Sequence, residues 1–134
     1  MADDLLAAYR ATAYRVRLAN GGWAALRIDR AVPAALASLL ADQPWGFITA
    51  WNPHSRKLAL HDNRVAQRQL LRQLRLLGGI TRIRAGVGVG LGWREPSLLV
   101  VGIHVTELDM LAREFQQNAY VHGHGDGVTM LRWM

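Results

Sequence analysis

Apolar and polar positions along the chain change period several times, and each change marks an element. Leu5, Leu6 and Tyr9 fall on one side of a first helix, for which Asp3 or Asp4 is the expected cap. Tyr14, Val16 and Leu18 then alternate with Arg15 and Arg17, the pattern of a half-buried strand with a basic outer face. Asn20-Gly21-Gly22 reads as a turn and Trp23 to Ile28 as the returning strand. Pro33 suits the first turn of a short helix ending at Leu40. A strand is expected at 47–51, stopped by Asn52-Pro53. The longest helix is expected from Asp62 to Leu77, with Ala66, Leu70, Leu74 and Leu77 as its buried stripe and Gly78-Gly79 as its end.

Strands follow at 80–89 and 96–103, the second almost continuously apolar, as suits burial on both faces. Thr106 is the expected cap of a helix to Phe115, with Asp109 in the capping-box position and Val105 and Met110 as a hydrophobic staple. Two last strands are expected at 118–122 and 127–133. This order predicts an α/β or α+β sandwich with one mixed sheet and about four helices, forming a single domain over 1–134. The hairpins at both ends argue against a purely parallel sheet.

Composition narrows the chemistry. The 134 residues are 51% hydrophobic, enough for a real core. No apolar run reaches the roughly 18–20 residues of a membrane span, and the acidic start is unlike a signal peptide, so a cytoplasmic location is expected. The absence of cysteine excludes disulfides, thiolate metal sites and cysteine nucleophiles. The net charge of +6 comes almost wholly from arginine, Lys57 being the only lysine. Part of that excess reflects compositional bias, yet guanidinium groups also fork onto phosphates.

Arg64, Arg68, Arg72 and Arg75 share an arc of roughly 80° on the long helix, and Arg82 and Arg84 follow at strand spacing. They form a candidate phosphate or nucleic-acid ridge, or else a solvated helix face. Gly86, Gly88, Gly90 and Gly92 alternate but do not make a dinucleotide fingerprint, because Leu91 or Trp93 stands where the third glycine belongs. In an extended segment they would bare one strip of backbone to a ligand, a ring or a loop. His122, His124 and Asp126 have a spacing that metal ligation permits, but no third fixed ligand is evident and no metal site is assigned. No cofactor is indicated.

The densest polar grouping lies elsewhere. Trp51-Asn52-Pro53-His54-Ser55 follows a strand end, where α/β sheets often hold ligands. Asn63 and Gln67 project near the buried arc of the long helix and need partners there. Trp93-Arg94-Glu95-Pro96-Ser97 and Gln116-Gln117-Asn118 each precede a buried strand. Either these groups satisfy backbone at loops and helix ends, or Thr49, Asn52, His54, Ser55, Asn63, Glu95, Ser97, Gln117 and Asn118 build one pocket, with Trp51 or Trp93 available for stacking. If the protein is an enzyme, Glu95 and His54 are its only plausible acid–base pair. Neither Ser55 nor Ser97 has a nucleophile-elbow motif around it.

These segments, from Phe47 through Ser55, Asn63, Trp93-x-Glu95-Pro96-Ser97 and Phe115-x-Gln117-Asn118-Ala119, resemble the bacterial family called domain of unknown function 3293. Tyr9-Arg10-Ala11-Thr12-x-Tyr14 also fits its start, and Gln116 is a small departure from its last motif. The resemblance implies no particular activity and lends weight to the polar cluster as a site. The expected partner is a small polar ligand, nucleotide-like or another hydrogen-bonding metabolite. Nucleic acid on the arginine ridge and a protein partner or second copy on the strand edges are the alternatives.

Overall fold

A computed structural model describes residues 2–134. Their elements are α1 (Ala2–Ala11), β1 (Ala13–Arg17), β2 (Trp23–Leu26), α2 (Ala34–Leu40), β3 (Pro44–Ile48), a 3-10 turn (Pro53–Ser55), α3 (Leu60–Leu76), β4 (Arg82–Gly90), β5 (Trp93–Val101), α4 (Val105–Glu114), β6 (Ala119–His124) and β7 (Met130–Trp133). The seven strands form one sheet in the order β2-β1-β4-β5-β3-β6-β7. The fold is α+β with four helices. Every strand pairing is antiparallel, where a mixture of directions was expected. The reason is β3, which inserts between β5 and β6 and runs opposite to both.

Strand alternation sends side chains to two cores. On one face Tyr14, Val16, Trp45, Phe47, Leu99, Val101 and Val121 pack with Leu36 and Leu40 of α2, and Tyr9 of α1 leans on this cluster. On the other, Ile48, Val100 and Tyr120 pack with Leu70 and Leu74 of α3 and with Leu108, Leu111 and Ala112 of α4. The buried stripe read from α3 is therefore the stripe it uses. Gly46 lies under Leu108, and Gly123 under Trp45, each leaving no room for a Cβ.

Several boundaries moved. β3 occupies Pro44–Ile48 instead of 47–51, because the chain from Thr49 onward bonds to side chains of α3 and to β5 instead of continuing a ladder. Pro44 is tolerated as its first residue, where no ladder N–H is needed. α4 starts two residues earlier than expected. His104 is its N-cap, and Glu107, not Asp109, accepts from the cap N–H (3.2 Å). Met110 is exposed and staples nothing. Asp109 instead accepts both Arg132 bonds (2.7 Å each) and the Tyr120 hydroxyl (2.7 Å), tying α4 to the last hairpin. Those bonds hold its carboxyl well below the usual range, at about 2. No helix among the described residues is long and apolar enough to cross a membrane.

Candidate functional site

The β3–α3 connection has an unusual backbone. Asn52, His54 and Ser55 all have positive φ (47°, 54° and 58°), a region that costs a non-glycine residue energy unless its surroundings impose it. The surroundings do so from two sides. From α3, Asn63 accepts the Asn52 N–H (2.8 Å) and donates to the Asn52 side-chain oxygen (2.7 Å), which also takes the Leu58 N–H (3.0 Å). Gln67 accepts the Ala50 N–H (2.8 Å) and lies 3.3 Å from the Thr49 hydroxyl, which donates to the Pro96 carbonyl at 2.7 Å. From the α4–β6 segment, Gln116 accepts the His54 N–H (2.7 Å), the Gln117 amide donates to the Trp51 carbonyl (3.2 Å), and Asn118 donates to Ser55 Oγ (2.8 Å). Asn63 and Gln117 are buried and matched.

The loop so held forms one wall of a cleft of about 620 Å³. Trp51, Asn52, Ser55 and Asn63 line it from one side, and Trp93, Arg94 and Glu95 from β5 line it from another. Tyr9 and Leu5 of α1, Leu60 of α3 and the lone Lys57 also line it. Glu95 and Tyr9 also border a small hollow of about 30 Å³, together with Tyr14, Thr49, Ser97 and Gln117. Ser97 is buried and donates to the Glu95 carbonyl (3.1 Å).

Burial pushes the Glu95 carboxyl up to about 7, against a smaller opposing pull from the Asn52 side chain. The Tyr9 phenol is also raised, first by burial; the Ser55 side chain works against this and the Glu95 charge adds to it. A carboxyl raised into this range can take up or release a proton near neutral pH.

The glycine strip has an occupant from the chain itself. The Trp93 ring lies across Gly88 and Gly90, and a Cβ on Gly90 would run into the indole nitrogen. Gly86 gives the same clearance to Phe47. Gly92, expected on the strip, is instead the hairpin turn residue with φ of 77°. Gly88 and Gly90 thus seat the ring that walls the cleft.

The sequence-derived groups thus divide. Trp51, Asn52, Ser55, Asn63, Trp93 and Glu95 come together around the cleft. Thr49, Ser97 and Gln117 lie behind it, Gln67 braces the loop from α3, and Asn118 reaches it through Ser55. His54 is exposed and does not line the cleft, so the structure does not set it against Glu95 there. Tyr9 was missed as a site residue. Its helical spacing read as core, and only its place in the Tyr9-Arg10-Ala11-Thr12-x-Tyr14 segment hinted at more.

The arginine ridge is not continuous. Arg64, Arg68, Arg72 and Arg75 are exposed on α3. Arg84 pairs with Leu99 and points to the α2 face, as does Arg82, and both border a hollow with Ser38 and Leu39 of α2. The sheet separates the two sets. His124 lies 3.1 Å from Asp42, and His122 packs beside the Tyr120 ring.

A family model described as Protein of unknown function (DUF3293) matches residues 48–120, more than half of the chain. The chain belongs to the DUF3293 family. The matched segment runs from the end of β3 into β6, and within the DUF3293 match lie the strained loop, Asn63, Gln67, Glu95 and the Gln117–Asn118 brace. No curated protein and no solved structure matches the chain.

Proposed function

We propose that the cleft binds a small compound with a polar ring of the nucleoside type, and that Glu95 is the central contact of that ring. The observation that carries this reading is the convergence of a carboxyl poised near 7 with Trp51, Trp93, Asn52, Ser55 and Tyr9 in one cleft of about 620 Å³. Such a volume suits a small ligand, and aromatic walls with few polar groups are the usual composition of such sites. A carboxyl with a pKa raised to about 7 reads a heterocycle edge as donor when protonated and as acceptor when ionised, and the indole rings offer faces for stacking. The same carboxyl can act as a general acid or base at neutral pH.

Calorimetric titration with adenosine, guanosine, cytidine and uridine tests this. At least one should bind saturably, and Glu95→Gln, which keeps shape but not ionisation, should weaken it by about tenfold or more. Saturable binding by none of the four, or unchanged affinity in Glu95→Gln, contradicts the reading.

A further inference from the structure

A second hollow, of about 560 Å³, lies on the α3 side of the same strand end. Trp51, Leu60 and Arg94 line both hollows, so the two are neighbours that share these side chains as a common border. Arg64 and Arg68 stand one turn apart on α3 and point the same way. Arg94 alternates with Glu95 along β5, which puts it on the face that Leu98 shares with α3. Three guanidinium groups thus border this groove, and among the described residues no carboxylate lines it. None of the three forms an ion pair among the described residues, whereas Arg10 and Arg132 each have an acidic partner. The floor is apolar, formed by Pro96, Leu98 and Leu71.

We infer that this groove is the phosphate subsite of the cleft ligand, so that the natural ligand is a phosphate ester whose ring lies by Glu95 and whose phosphate lies among Arg64, Arg68 and Arg94. The inference rests on the ring-binding reading of the cleft. Guanidinium groups meet phosphate oxygens bidentately, and three of them match a phosphate ester's charge of nearly two better than a single carboxylate's. A nucleic-acid strand would need the basic track to continue. On α3 it does continue to Arg72 and Arg75, but these lie beyond the groove, and Arg82 and Arg84 are across the sheet.

The test titrates the full chain with the four nucleosides, their 5′-monophosphates, inorganic phosphate and a polythymidine strand, in wild type and in Arg64→Gln, Arg68→Gln, Arg94→Gln, Arg72→Gln and Arg75→Gln. All five side chains are exposed, so folding is not at stake. A monophosphate should bind about tenfold or more tighter than its nucleoside. The first three variants should each remove most of that gain and the last two should keep it. Equal affinity for nucleoside and monophosphate overturns the groove and leaves the cleft reading standing. Phosphate binding that depends on the three arginines, without any nucleoside binding, overturns the joined site along with the cleft reading. Tight polythymidine binding lost equally in Arg64→Gln and Arg72→Gln overturns it in favour of a nucleic-acid face. No binding of any probe overturns both readings.

Discussion

Among the described residues Glu95 is the only carboxylate that lines the cleft, and its position explains its chemistry. It is held on β5 under α1, where burial disfavours its charge. The ordinary value is 4.5 and the folded one about 7, so between them the folded chain retains a proton that the unfolded chain releases. The contribution of Glu95 to stability therefore falls as pH rises through that window. Thermal denaturation of wild type and Glu95→Gln from about pH 4 to pH 8 should show the two converging at the acid end and the variant melting higher at the alkaline end. Parallel profiles would contradict the placement of Glu95. The difference between the two proteins cancels His122, whose depressed value acts in the opposite direction. Glu95, Asn52 and Ser55 were legible as candidates because they are polar groups next to buried strands. His54 misled for the same reason: adjacency in sequence does not reveal a left-handed backbone, and the exposed imidazole stays off the cleft wall. Tyr9 was illegible because an inward tyrosine on a helix looks like any core residue.

Among elements, the β3–α3 connection shows best how the amides are used. Asn63, Gln67 and Gln117 are spent on backbone groups of the loop, and the loop so braced is a wall of the cleft. Asn63→Ala removes the partner of the Asn52 N–H, and buried groups left unpaired cost about 1–3 kcal/mol. Chemical denaturation should show a loss of about 2 kcal/mol, with nucleoside affinity falling as well, because the positive-φ residues lose their brace. Unchanged stability would show that the loop holds its shape without α3. The buried arc of α3 was readable from its period, including the inward amide. The β3 boundary was not, since Thr49–Trp51 look strand-forming until side chains from α3 and the Pro96 carbonyl claim their bonds. The α4 start was hidden by a histidine cap, a residue outside the preferred set.

For the molecule as a whole, the helices, hairpins and α+β class followed from periodicity, but the strand order did not. The placement of β3 between β5 and β6 is decided by pairings such as Phe47 with Leu99 and Val121, far apart in sequence. That order also divides the arginines, putting Arg64, Arg68 and Arg94 by the cleft and Arg82 and Arg84 across the sheet. Net charge conveys none of this. The central claim is that one end of the sheet, between α1 and α3, is a binding site. Amide and indole NMR spectra recorded during titration with nucleosides and their 5′-monophosphates test it most directly. The Trp51 and Trp93 indole signals and the Asn52 and Ser55 amides should move saturably and together, with Arg72, Arg75, Arg82 and Arg84 undisturbed. Shifts confined to the surface arginines, or no saturable shift at either tryptophan, would contradict it.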